Sequence, residues 1–415
     1  MLFLAIRLGA RNLFRNRRRA VITALSVAFG VCVAVVFIGT RQSMYDRLID
    51  SGAKGGYGLF SVSQPGYIAE PSPSSQFAWD QSLRQQLAQL PGVTLVAPRI
   101  AAMAVIATSK SSTGAALLGI DPEVEPIASN QMLANLVYGT VLAPGDQQGC
   151  LIGAAMAAHL GVNLGEKVIF TTTDRQGQIV SSIAYLRGTF RTGSLELDGH
   201  LVVLPLALMR QTLDYPENGV SFLAIFAPPE SDLVAIGEAL KKRLGSLPLE
   251  LSSWRKTLPD VAQAIDLDAS LYRVLFTFTG IIVSIGILNT MMLNILERRR
   301  EFGVMLALGL TPVTLVSMVL SEALMIGLLG LVLGAVVASP LYWYLHQFGL
   351  DLTIFLKDGV ASQTKGIEDL LGCRITMGDI KQIAFGLIAM NFLAALYPAV
   401  AAARTVPILA IRAPQ

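Results

Sequence analysis

The hydrophobic pattern divides this chain into stretches of two kinds. Ala20–Thr40 runs 21 residues without a charged side chain, Val274–Leu296 runs 23 and Gln382–Ala403 runs 22. Val313–Leu345 is longer and carries one charge, Glu322. About 20 apolar residues cross a hydrocarbon core as a helix, so the pattern predicts four transmembrane helices, at 20–40, 271–296, 313–345 and 382–403. Residues 41–270, between the first two, have ordinary polarity and regular turn signals, and suffice for folded domains with their own cores. There the periodicity changes. Leu59–Ser63, Val93–Thr108, Ala115–Ile120, Lys167–Thr173, Ile179–Phe190, His200–Leu204 and Ser221–Phe226 read as strands from β-branched content and turn bounds. Ser82–Leu90, Ala154–Leu160, Leu206–Thr212 and Asp232–Leu244 read as helices. The expected fold is a membrane protein with a large α+β extracytoplasmic domain inserted between its first and second transmembrane α-helices. The polar stretch Gln64–Ser75, with Pro65, Pro71 and Pro73, reads as a loop. From about Trp254 the pattern stays helical into the second span, with Val261, Ile265, Leu267, Leu271, Val274 and Leu275 roughly on one face.

Charge adds the orientation. A mean hydropathy of +0.56 with 15% charged residues puts the chain in the membrane class. Basic residues near span ends stay cytoplasmic. Residues 1–19 hold Arg7, Arg11, Arg15, Arg17, Arg18 and Arg19 and no acid; 297–312 hold Arg298, Arg299 and Arg300; 404–415 hold Arg404 and Arg412. Both termini and the 297–312 loop are thus expected inside (N-in/C-in), and 41–270 with the 346–381 loop outside. Of the 32 Lys and Arg, 11 fall in the inner segments; of the 29 Asp and Glu, 26 fall in the outer ones. The net +3 averages a basic inner face and a mildly acidic outer domain, so no nucleic-acid partner is expected.

Residues 1–19 admit two readings. Leu2, Phe3, Ile6, Ala10, Leu13 and Phe14 share one side and Arg7, Arg11, Arg15 and Arg18 another, as in an amphipathic helix lying on the inner membrane surface among its lipids. The same arginines equally make a plain basic flank. The first span is too long for a cleaved signal peptide, and FIGTRQS offers no small-x-small site, so it reads as a retained anchor.

No catalytic residues emerge. G-x-S-x-G, H-E-x-x-H and C-x-x-C are all missing from the sequence. Gly52–Gly58, with Lys54, lacks the G-x-x-x-x-G-K-[ST] frame, so ATP, if used, is bound by a separate subunit. His159, His200 and His346 share no metal-ligand spacing, and no metal site is expected. Cys32 lies in the first span. Cys150 and Cys373 both fall outside, where an oxidising compartment permits a disulfide that no spacing supports.

Inside the membrane, Glu322 has two readings: a proton site, since intramembrane acids are functional candidates, or a structural partner of an inner arginine. Gly327, Gly330 and Gly334 have the spacing for close helix packing. Val33, Val36 and Phe37 in the first span, with Ile282, Ile285, Leu288 and Met292 in the second, offer apolar faces for cargo, a second subunit or lipid. Asn289 and Asn294 are costly in lipid and are expected to face a helix neighbour.

In the inner loop, Glu297-Arg298-Arg299-Arg300-Glu301 is an unbroken charged run. Phe302, Val304, Met305 and Leu308 make an apolar side for a short surface helix, which Gly309 and Pro312 end. A solvated hairpin and a docking element both fit these residues.

Three motifs carry a resemblance: E-R-R-R-E-F-G-V-M-L-A-L-G at 297–309, S-E-A-L at 321–324, and Y-P-A-V-A-A-A-R-T-V-P-I-L-A-I-R at 397–412. With them the chain resembles, over essentially its whole length, the MacB/FtsX-like permeases, membrane subunits of ABC systems that act by mechanotransmission. LPGVTLVAPR, LLGIDPE, LIGAAMAAHLGVNLGEKV and LRGTFRTGSLELDGHLVVLPL are similar to the lipoprotein-releasing branch. The resemblance implies an inner-membrane subunit that pairs with a second permease, identical or paralogous, around the first two spans. It implies that Glu297, Arg298, Arg299, Arg300, Glu301, Phe302 and Gly303 form a coupling helix gripping a cytoplasmic ATPase dimer, which would bind the ATP and magnesium. In the lipoprotein-releasing branch the faces of the first two spans hold acyl chains. Lipoprotein release, drug or peptide efflux with a periplasmic adaptor, and regulation of a cell-wall hydrolase are the functions it leaves open. The 346–381 loop, with apolar Ile354, Phe355 and Leu356, is longer than a minimal connection.

Overall fold

The computed structural model describes residues 17–228, 231–245, 247–351 and 370–404. The basic segment before Arg17, the part of the outer loop holding Ile354, Phe355 and Leu356, and the tail after Arg404 lie outside the described residues. The chain forms two compact units. One holds the described residues up to Met44, Leu267–Asp351 and those from Leu370 onward; the other is built from Tyr45–Asp266.

The first unit contains the four helices long and apolar enough to cross a membrane. Span one belongs to Arg17–Gly55, span two to Pro259–Glu297, span three to Pro312–Phe348 and span four to Met377–Ala403. Their ends follow local chemistry. Leu258 precedes a proline, which disfavours helical backbone there, so the helix expected from Trp254 breaks into Trp254–Thr257 and a new helix opening at Pro259. Thr311 caps span three by accepting from the Thr314 amide, with Pro312 in the first turn. Thr376 and Asp379 form a reciprocal capping box on span four.

The bundle interior is built from small residues. A Cβ on Gly330 would meet the Ala24 carbonyl oxygen at 2.9 Å, and one on Gly334 would press on Val31, so span three lies directly against span one at both glycines. Gly327 makes the same room for Asn391 of span four, whose amide donates to the Ala323 carbonyl at 2.7 Å. Ala24, Val27, Ile287, Met291, Ala323, Ile326, Ala394 and Ala395 close the centre.

The second unit is α+β. Its strands are β1 (Phe60–Ser63), β2 (Phe77–Ala78), β3 (Leu95–Ala107), β4 (Ser112–Ile120), β5 (Leu136–Gly139), β6 (Gly149–Gly153), β7 (Lys167–Thr173), β8 (Ile179–Phe190), β9 (Leu201–Pro205), β10 (Gly219–Val220), β11 (Phe222–Phe226) and β12 (Glu250–Ser253). Ten form one sheet in the order β12-β1-β11-β3-β4-β9-β6-β8-β5, with β7 bridging β3 and β8; β2 and β10 pair separately. The β4–β9 and β6–β8 pairs are parallel. One core joins β1 and β11 to the helix Leu233–Leu244 and also takes Tyr45, Ala53, Ala262 and Ile265, residues of the two longest helices. Arg99, fully buried, pairs with Glu125 at 2.6 Å, and Glu125 accepts from Asn130 at 3.0 Å. Cys150 is buried within this unit and Cys373 within the other; both are free thiols, not a disulfide.

Candidate coupling site and interhelical grooves

The helix Arg299–Ala307 fills the loop between spans two and three, and Gly309, at φ +94°, turns the chain out of it. Residues two apart on a helix point about 200° apart, which divides the expected apolar side in two. Phe302 is fully buried among Ile295, Leu315, Met318, Val319, Ala399 and Ala402, with Met305 packed against the same cluster. Val304 and Leu308 face away, the latter 83% exposed. Arg299 and Arg300 are exposed as well, and Gly303 is buried. The outward face of this helix is therefore Arg300, Val304, Ala307 and Leu308.

Arg298 does not join that face. It is buried, and its Nη1 donates to Glu322 Oε2 of span three at 3.1 Å while its Nε donates to Glu301 Oε2 at 3.2 Å. Its guanidinium also lies over the Phe302 ring, 5.0 Å from the centroid. Asn294 of span two donates to the other Glu322 oxygen at 3.2 Å. Buried charge is tolerated where it is paired and hydrogen-bonded, and this knot meets both conditions. It fastens the loop helix, span two and span three to one another, so Arg298 and Phe302, expected to meet a partner, are internal. Glu297 is exposed.

Two apolar grooves open beside spans one and two, the first of them also walled by Leu387 and Met390 of span four. One, about 170 Å³, is lined by Val33, Phe37, Tyr272, Phe276 and Gly280 among others. The second, about 550 Å³, is lined by Leu25, Phe29, Val33, Ile282 and Gly286. Val33 serves both. Val36, Ile285, Leu288 and Met292 line neither; Ile285 is exposed and the other three are half-buried. Asn289 is exposed, not turned to a helix neighbour in this chain. At one end of the smaller groove Arg41 sits 4.0 Å from the Tyr272 ring centroid, and Tyr272 stacks on Phe276. No sequence signal links Arg41 to Tyr272, because the contact joins distant segments.

Burial pushes the Cys150 thiol up to about 12, which suppresses the thiolate at neutral pH. A hydrogen bond from Arg187 holds the Asp146 carboxyl below its ordinary value. Among the described residues no cluster of three His, Cys, Asp or Glu side chains could hold a metal ion.

Residues 20–243 match the MacB-like periplasmic core domain family, and residues 273–407 the FtsX-like permease C-terminal family. The chain is 23% identical over 431 residues to the lipoprotein-releasing system transmembrane protein LolC of Xylella fastidiosa, across 99% of this chain and 98% of that protein. It is 22% identical over 366 residues to the macrolide export ATP-binding/permease protein MacB of Hyphomonas neptunium, across 84% of this chain and 55% of that one. A crystal structure of the periplasmic region of MacB from Actinobacillus actinomycetemcomitans aligns with 53% of this chain and 98% of its own, at 14% identity and a TM-score of 0.35.

Proposed function

Since this chain belongs to the ABC transporter permease family that joins a MacB-like periplasmic core domain to FtsX-like C-terminal spans, we propose that it is the non-catalytic subunit that turns ATP hydrolysis in a partner into motion of its α+β unit. The observation that carries this reading is the Arg298 knot. It fixes the loop helix to spans two and three while leaving Arg300, Val304 and Leu308 turned outward. A push on that outward face passes into span two, and span two belongs to a helix whose residues Ala262 and Ile265 lie in the core of the α+β unit. ATP and magnesium are held by the partner ATPase. The chain sits in the inner membrane with the α+β unit in the periplasm and works beside a second permease subunit.

The cargo we favour is a lipid-anchored protein leaving the membrane. Alignment with LolC across 99% of the chain supports it, and the grooves beside spans one and two have the apolar lining that an acyl chain requires. Efflux of an amphipathic small molecule is the second reading, favoured by the alignment with MacB. A complex of the full chain with its ATPase, in nanodiscs, tests both. Arg300→Glu with Leu308→Asp should abolish ATPase co-purification while the permease level stays unchanged; intact binding would refute the docking face. Stimulation of ATPase activity by a diacylated lipopeptide, but not by its deacylated form, is the expected result for lipoprotein cargo. Equal response to both, or to a macrolide alone, would refute that cargo.

A further inference from the structure

A third groove lies on the other side of span one. Val33 lines the two grooves already described. Val31 and Val35, each two positions away and so about 200° round the helix, line this one, of about 400 Å³, together with spans three and four. Its floor is span three, where Leu331, Ala335, Ala338 and Tyr342 recur at the four- and three-residue steps of one helix face. The alanines make the room. Just past Gly334, where Val31 seats against span three, they put no bulk between the helices. Ser339 beside them donates its hydroxyl to the Val336 carbonyl at 3.0 Å, so it asks nothing of an occupant.

The groove is one leaflet deep. Leu331 sits at the middle of Pro312–Phe348, and Tyr342 near its end beside exposed Trp343 and Tyr344, aromatics of the kind that mark a membrane–water interface. From Leu331 to Tyr342 the helix rises about 16 Å, half of the roughly 30 Å of a hydrocarbon core. Spread over that length, the volume is a slot about 5 Å across, wide enough for a hydrocarbon chain and too narrow for a partner helix of about 10 Å. An unfilled slot would forfeit the dispersion contacts of its walls. At the interfacial end Ile380 lies on the rim and Lys381, the next residue, is exposed. The neighbouring acid, Asp379, is held in the capping box with Thr376. A cation is thus left at the level where a lipid phosphate sits.

We propose that this slot holds one acyl chain of a resident glycerophospholipid, drawn from the leaflet at the Tyr342 end, with Lys381 at its phosphate. The lipid is a fixed part of the bundle, wedged between spans one, three and four, and is not the cargo. This goes beyond the functional reading above and needs only that the four helices cross a membrane.

The full chain with its partner ATPase, reconstituted in vesicles of equal parts phosphatidylglycerol and phosphatidylcholine, is moved into detergent and weighed by native mass spectrometry. The parent chain should keep a phospholipid. Ala335→Phe, which fills the slot, should lower its retention about tenfold, the worth of two buried methylenes. Val336→Phe, on the exposed neighbouring side, should leave it unchanged. A bare parent chain, or equal retention in the two variants, would overturn the proposal. A phosphatidylglycerol with a diazirine at its chain terminus maps the site with no substitution at all, so a variant that fails to fold does not decide the matter. Illuminated after transfer to detergent, it should label Leu331 and Val31 above the exposed Val332; labelling of Val33 and Phe37 instead, or of Val332 as strongly, would overturn the assignment. Lys381→Ala should cut the preference for phosphatidylglycerol over phosphatidylcholine about fivefold, and an unchanged preference would refute the headgroup contact. Displacement of the retained lipid by a diacylated lipopeptide would make the slot a cargo site and end the resident-lipid reading. Stimulation of the ATPase by that lipopeptide is read on the same preparations, and its absence beside a retained phospholipid refutes the functional reading alone.

Discussion

The Arg298 guanidinium lies 3.1 Å from the Glu322 carboxylate, although the two residues are 24 positions apart in the chain, and each side chain is only 8% exposed. Removing one partner of such a pair leaves an uncompensated buried charge and costs about 3 to 5 kcal/mol, whereas replacing both with apolar groups of similar volume is close to neutral. Arg298→Met is therefore expected to lower the melting temperature of the purified permease sharply, and Arg298→Met with Glu322→Leu to recover most of the loss. Thermal unfolding in detergent measures both. The double variant should still lose stimulation of the partner ATPase, since stability returns but the link between loop helix and span three does not.

Gly330→Ala tests the contact between spans one and three. The added methyl meets the Ala24 carbonyl oxygen and the Val27 side chain, and overpacking of this kind costs about 1 to 3 kcal/mol. Gly286→Ala in span two has nothing within 4 Å of the new Cβ and should leave the melting temperature unchanged. Equal melting temperatures for the two variants would refute the close packing.

Acid stability of the α+β unit should depend on Asp146. The hydrogen bond from Arg187 lowers its folded pKa, so its stabilisation is fully present above the ordinary aspartate value of about 3.9 and is lost as pH falls through the depressed folded value. Asp146→Asn should reduce stability at pH 7, and the difference from the parent chain should close under acid conditions. Urea unfolding followed across that range gives the comparison.

Cys150 should resist alkylation. Its thiol is 1% exposed and pushed up to about 12 by burial. Iodoacetamide at pH 8 should leave it unmodified in the folded chain and modify it fully after denaturation, as read by mass spectrometry. Rapid labelling of the native protein would contradict the packing around β6.

Much of this architecture is legible in the sequence because its signals are local. Lys167–Thr173 and Ile179–Phe190 are strands bounded as their β-branched content and turns predict, and Ala154–Leu160 is a helix closed by Gly161 in the left-handed region. β6, the run GCLIG, was not among the expected strands: five residues buried on both faces show no alternation. β5 and β12 are four residues each and too short to stand out. Span one continues past Thr40 to Gly55 because Arg41–Ser51 holds no helix breaker, and its charges meet partners such as the Lys54–Asp50 pair at 2.7 Å. At the candidate coupling site, the motif marks the segment but not which side chains turn outward. Charge composition is equal for Arg298 and Arg300, and only the position of Glu322 on a neighbouring helix draws the first inward.

Gly330 and Gly334 leave span three flush against span one, with Val27 and Val31 seated in the space a Cβ would fill. Parting the two helices would empty both notches at once, so spans one and three are expected to move as one plank. A hinge on the groove side is then expected at span two, whose most apolar stretch is the least buried of the four and whose Asn294 holds the loop helix through Glu322 and Arg298.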